Sequence, residues 1–296
     1  MTEYRNENEI VMHSLGRSGS HVIKNWIASM FEEPVYCFNN CEPGDPYRAK
    51  YRYFLRVMGR PIKKFFVPMH NFKHFPEDKI SPFRNIHKLC LLYSYEHKDI
   101  TQSTNGDFVT DRDFFIGSSR NRYIVLVLRD VFNWLASLLL SGDRSLVSIT
   151  QYPACYTFEK DKDWEKHASM IRARNYVTAK HLIKFWRVYA NEFLGKTNYL
   201  PEGTIFISFN QWFYDENYRI KIANQLNLKN SDFALDFTGA NGGFDGRKFN
   251  HGGAREMKVL ERWKTFQDNS IYTEILDLCP EVRELSYEIF GREIGM

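Results

Sequence analysis

The 296 residues are 43% hydrophobic and 16% aromatic, enough apolar bulk for a large core, which argues against a disordered chain. The 40 basic and 36 acidic residues leave a net charge of only +4, which does not indicate a general nucleic-acid surface and confines any basic site to a local pocket. No apolar run reaches the roughly 18 residues of a membrane span, and the polar opening MTEYRNENE lacks the basic and apolar regions of a signal peptide.

The expected elements, in chain order, begin with a strand over 9–14 and a helix over 20–31. A basic, Tyr-rich helix follows over 43–58, then a short extended segment over 64–69. Buried strands are expected at 88–95 and 123–128, the second followed by an amphipathic helix. The stretch 142–163 is irregular. Apolar residues at helical spacing predict a long helix over 164–194. A strand over 204–209 leads to a helix over 215–226 with Asp215 as its N-cap. Residues 241–253 hold five glycines and read as a loop. Helices are expected over 254–266 and 280–290, with Pro280 at a first helical position and Gly291 as a C-terminal cap. No linker or repeat interrupts the chain, so one domain over 1–296 is expected. Strands separated by helices predict an α/β fold of three αβα layers around a mostly parallel sheet of about five strands. Cys37, Cys41, Cys90, Cys155 and Cys279 are sparse and odd in number, and Cys37 and Cys41 are not spaced as a zinc-binding Cys-x-x-Cys pair. Reduced thiols in a cytoplasmic protein are the expectation.

Two segments carry the chemistry. In 10–26 a strand breaks at Gly16-Arg17-Ser18-Gly19-Ser20 before a helix. Two glycines let the backbone curl so that several N–H groups face one anion, and the helix N-terminus adds its positive end. In 123–140 Arg129 closes the strand and Ser137 follows eight residues later, about two turns into the next helix. Parallel strands put both at the carboxyl edge of the sheet, where α/β folds bind ligands. Two anion sites there suit a ligand with two separated phosphate-like groups. The loop lacks the Gly-Lys-Ser/Thr ending of a Walker A motif, and with it the residues that reach the outer phosphates and hold Mg²⁺. This disfavours nucleotide hydrolysis.

Arg17-Ser18-Gly19-Ser20 resembles the 5′-phosphosulfate loop of sulfotransferases that use 3′-phosphoadenosine 5′-phosphosulfate (PAPS), in the form carbohydrate sulfotransferases often have. Arg129-Asp130-Val131 with Ser137 is similar to that family's 3′-phosphate motif, Arg-Asp-Pro followed by Ser; Val131 stands in place of the proline. Residues 244–248 (FDGRK) resemble the late Arg-Lys-Gly segment that closes on the same phosphate, and 205–225 are similar to the strand and helix ahead of it. The resemblance spans roughly residues 9–265. It implies a P-loop-like sulfotransferase architecture, with PAPS as co-substrate, PAP as product and no metal. By the same resemblance, Arg17, Ser18, Gly19, Ser20 and His21 would hold the 5′ end. Arg129, Ser137, Gly246, Arg247 and Lys248 would hold the 3′-phosphate, and Phe209 the adenine. Each has a plainer alternative: a connecting loop, a surface ion pair, a helix-face serine, a flexible glycine loop, a core phenylalanine.

Sulfuryl transfer needs a group that takes the acceptor's proton. Related enzymes are similar in placing a His or Glu near the end of the strand beside the Arg-Asp strand. Here 88–95 runs into Glu96-His97. Strand alternation puts neighbours on opposite faces, so the two are not expected to share a role. A carboxylate ending a buried apolar strand needs a reason, which ranks Glu96 first and His97 second. His70, in a stretch resembling Lys-Thr-His-Leu-Pro of cytosolic sulfotransferases, is the rival. Arg17 is expected to act on the developing charge. The acceptor pocket is expected from 38–60, the stretch after His97, and 142–163, where Arg48, Lys50, Arg52 and Arg56 mix with aromatics and suit a small polar molecule or sugar. The expectation is a metal-independent sulfotransferase acting on a small-molecule hydroxyl or amine, with no nucleic-acid or membrane partner. The alternatives are a P-loop nucleotide kinase and a catalytically idle nucleotide-binding or interaction protein of the same fold.

Overall fold

Residues 4–32, 35–41, 43–44, 46, 53–54, 87–139, 164–230 and 258–292 are described in the computed structural model, with the backbone alone at 53–54 and 164–175. Their strands are β1 (Asn6–Ser14), β2 (Val35–Phe38), β3 (Tyr53–Phe54), β4 (Lys88–Glu96), β5 (Ser119–Leu128) and β6 (Ile205–Ser208). They form one six-stranded sheet in the order β3-β2-β4-β1-β5-β6. Five strands are parallel, and the two-residue β3 adds an antiparallel edge against β2. β1 lies between β4 and β5, with Ser14 level with Glu96 on one side and Val127 on the other.

Strands covered on both faces read as continuous apolar runs, as β4 and β5 do. One face packs on α1 (Ser20–Ser29), α5 (Phe209–Tyr214) and α6 (Glu216–Gln225), where Trp26 meets Trp212 edge-on at 5.6 Å between ring centroids. The other face packs on α3 (131–139), α4 (Trp164–Phe193), α7 (Ser270–Asp277) and α8 (Glu281–Phe290), around Trp134 and Trp186. The three layers are therefore αβα. A short helix α2 (Arg112–Phe115) precedes β5. Among the described residues no helix is long and apolar enough to cross a membrane. Cys37, Cys41, Cys90 and Cys279 are buried free thiols.

Three expectations are corrected. Tyr53 and Phe54 lie in a strand, not in a helix over 43–58, because they pair with Phe38 and Cys37. The short extended segment expected over 64–69 lies outside the described residues. The strand over 204–209 stops at Ser208, whose hydroxyl accepts from Gln211 N and caps α5, so Phe209 opens a helix. In place of a helix over 254–266, residues 258–261 form turns and Arg262–Phe266 a 3-10 helix.

Below the carboxyl edge, a buried polar group ties 105–122 to the sheet. Tyr93 Oη lies 2.7 Å from Glu9 Oε1 and 2.5 Å from Asp107 Oδ2, and Arg122 pairs with both carboxylates. Beside it His13, fully buried, contacts the Gly106 carbonyl through Nε2 at 2.9 Å.

Candidate active site at the carboxyl edge of the sheet

The loop between β1 and α1 turns sharply: Ser18 N donates to Leu15 O at 3.1 Å. Arg17 and Gly19 both take left-handed backbone, with φ 73° and 87°. Gly19 caps α1 with no side-chain bond, and the first turn carries no acidic residue to neutralise its N–H groups. Both glycines let neighbours in: a Cβ on Gly16 would lie 2.4 Å from His97 Nε2, and one on Gly19 2.1 Å from Phe209 Cε2. The buried hydroxyls of Ser14 and Ser18 have no hydrogen-bond partner among the described residues. Buried polar groups are normally paired, so these two point to a missing polar ligand.

Arg129 follows β5 and is 2% exposed. Its Nη1 reaches Arg17 O at 3.4 Å, its Nη2 donates to Val259 O, and its Nε has no partner among the described residues. The guanidinium lies over the Phe209 ring, 5.1 Å from the centroid. Burial lowers its pKa to about 10, so it still holds its charge at neutral pH. Asp130 is fully buried. It accepts from Asn133 N at 2.8 Å and Asn210 Nδ2 at 2.9 Å, pinning the start of α3, while burial raises its carboxyl. Val131 keeps an N–H that a proline would lack and donates it to Ser286 Oγ at 3.2 Å. Ser137 Oγ accepts from Arg262 Nη1 at 2.9 Å.

Glu96 ends β4 beside the loop. Ser20 Oγ donates to its Oε1 at 3.0 Å; Lys24 Nζ lies 3.7 Å and His21 Nε2 3.9 Å from the same oxygen. Burial pushes the Glu96 carboxyl up, but Lys24, His21, the Ser20 hydroxyl and His97 outweigh it and hold it below the usual range. His97 adopts φ 59° and takes the Gly16 N–H on Nδ1 at 3.3 Å. Burial lowers its pKa, with Glu96 opposing. The expectation that strand alternation would separate Glu96 from His97 therefore fails. The strand ends at Glu96, and the left-handed turn at His97 brings both to the loop. Partial burial lowers the Arg17 pKa, with Glu96 opposing.

Thus Arg17, Ser18, Gly19, Ser20, His21, Glu96, His97, Arg129 and Phe209 gather at one edge, with Ser137 about two turns along α3. Phe209 is 4% exposed, its ring between Gly19 and Arg129. His70, Gly246, Arg247 and Lys248 lie outside the described residues, as do 142–163 and most of 38–60. Sequence reasoning missed Lys24 and Arg262. Lys24 is a lysine on the apolar face of an amphipathic helix, a signal that could have been read; Arg262 carried none.

Among solved structures, the chain is similar to the crystal structure of mouse sulfotransferase SULT7A1 complexed with PAP, at 11% identity and a TM-score of 0.40, over 94% of this chain and 88% of that one. No family model and no curated protein matches the sequence.

Proposed function

We propose that the chain, as a single domain, is a sulfotransferase that moves the sulfonate of PAPS to a hydroxyl or amine of a small-molecule acceptor. One observation carries this reading. A glycine-containing loop with buried hydroxyls and a buried arginine Nε that have no partner among the described residues, and a carboxylate bonded to the first residue of the loop helix, meet at the ends of three adjacent strands. The donor set fits a ligand with two phosphate-like ends. Arg17, Ser18, Ser20 and the loop N–H groups would hold the 5′ end, and Arg129 with Ser137 the 3′-phosphate. Arg247 and Lys248 are proposed for the same phosphate from the sequence resemblance alone.

Bound PAPS supplies an activated sulfonate with a good leaving group. The protein's own tasks are to orient the acceptor, accept its proton and stabilise charge at the 5′ end. Glu96 is the proposed base. Its ionised form is held by neighbouring cations, and its Oε2 carries no hydrogen bond among the described residues. His97 is less suited, because Nδ1 already accepts from Gly16. Arg17 would face the growing charge, so its removal should lower kcat more than it raises KM.

Thermal-shift titration tests the reading. Stabilisation by PAP without Mg²⁺, together with turnover of labelled PAPS on a panel of hydroxyl and amine acceptors, is the expected result. Stabilisation by ATP only, and only with Mg²⁺, would point to a kinase. PAP binding without turnover on any acceptor would point to an idle nucleotide-binding protein.

A further inference from the structure

The least expected charged group near the site is Lys24, whose side chain is fully buried in α1. Lysine is almost never fully buried without a partner. Its ammonium donates to Asn39 Oδ1 and to Ser94 Oγ at 2.9 Å, and it forms an ion pair with Glu96 Oε1 at 3.7 Å. Ser94 and Glu96 are two residues apart on β4 and so share a face. Ser94 Oγ is itself fixed, donating to Asn39 Oδ1 at 3.1 Å and accepting from Asn40 N at 3.3 Å. Lys24 follows Ser20 by one helical turn, so α1 presents a hydroxyl and an ammonium to one carboxylate oxygen.

We propose that Lys24 is a positioning residue for Glu96: it draws Oε1 into the fold and leaves Oε2 as the oxygen that meets the acceptor, an assignment that rests on the reading of Glu96 as the base. The carboxylate's two oxygens are thereby divided in role. Oε1 is bound by Ser20, with Lys24 and His21 close by, and Oε2 is left without a hydrogen bond among the described residues. The charged or titratable groups facing Glu96 are Arg17, His21, Lys24, His97 and, from α4, Tyr189. His21 is half-exposed, so water and salt screen it; Lys24 is shut away from solvent and is screened far less. At 3.7 Å from Oε1 the Lys24 charge bears directly on the titration of Glu96, while its bonds to Asn39 and Ser94 tie the segment after β2 to β4.

The test is a carboxyl titration by NMR on the full chain with ¹³C-labelled glutamate, Glu96→Gln identifying the resonance. Wild-type Glu96 should titrate below the ordinary 4.5. Lys24→Met and Lys24→Gln, the second keeping a polar head for Asn39 and Ser94, should raise that midpoint by about 1–3 units. His21→Asn should raise it less. A wild-type midpoint above 4.5, or no shift in a folded Lys24 variant, overturns the proposal. PAP titration of the same samples reads the nucleotide assignment separately. Affinity should be unchanged by Lys24→Met, and failure of PAP to bind wild type would reject the sulfotransferase reading while the titration still decides Lys24.

Discussion

Replacing Gly19 with alanine strikes the site at its tightest point. At φ 87° an L-residue pays roughly 1–2 kcal/mol for left-handed backbone. The added Cβ would also lie 2.1 and 2.2 Å from Phe209 Cε2 and Cδ2, closer than any van der Waals contact. Phe209 is buried against Trp212, with ring centroids 6.0 Å apart, so it has little room to retreat. Overpacking of this kind costs roughly 1–3 kcal/mol. The sum, about 2–5 kcal/mol, should appear as a lower urea midpoint with an unchanged slope. The ring also carries the Arg129 guanidinium at 5.1 Å, so its displacement should weaken PAP binding as well. The two causes separate in a double-mutant cycle. Phe209→Ala removes the clash but not the backbone strain, so Gly19→Ala should cost roughly 1–3 kcal/mol less in that background. Additive costs, or a single-variant cost under about 1 kcal/mol, would refute the reasoning.

Arg129→Ala should weaken PAP by about 2–4 kcal/mol, as for truncating one partner of a buried charge pair, while adenosine 5′-phosphate, lacking the 3′ group, is far less affected; equal losses by calorimetry would reject the 3′ assignment. Glu96→Gln should cut kcat roughly 10²–10⁴-fold with little change in PAP affinity, and His97→Asn should do less; the reverse ranking would transfer the base to His97. Burial lowers the His13 pKa from 6.5 to about 4, against the Gly106 carbonyl and Asp107. The unfolded chain therefore binds the extra proton first, and stability falls as pH drops from about 6.5 towards 4 by roughly 3 kcal/mol. Urea unfolding of wild type and His13→Phe at pH 7 and 4.5 reads this as a smaller pH loss in the variant.

The two strand-break-helix units were legible because their signals are local: an apolar run, a polar break and a new period. So were the Asp215 cap, whose side chain accepts from Tyr218 N, and the ending at Gly291, where φ is 89°. The start of α5 had a readable signal, Ser208 with Gln211 three residues on, hidden inside an aromatic run that reads as strand. Helix α7 was missed although Asn269 caps it at Tyr272 N, because its eight residues sit between a 3-10 turn and another helix. Other features were not written locally. The turn at His97 is stabilised by packing on Gly16, and the burial of Phe209 depends on Arg129 from another strand.

The anion loop has almost no support from its own neighbourhood in the chain. Gly16 is bonded to His97 at a sequence separation of 81 and to Trp134 at 118, and Arg17 to Arg129 at 112. Phe209 closes over Gly19 from still farther along. Bringing such distant segments together costs loop-closure entropy before any contact repays it, and parallel sheets fold slowly for that reason. During synthesis the loop leaves the ribosome before any of these walls. A nascent chain ending at residue 90 would hold every atom of the loop and none of these partners, so ligand-binding competence should arrive late and all at once, when β5 and the start of α5 have joined β1.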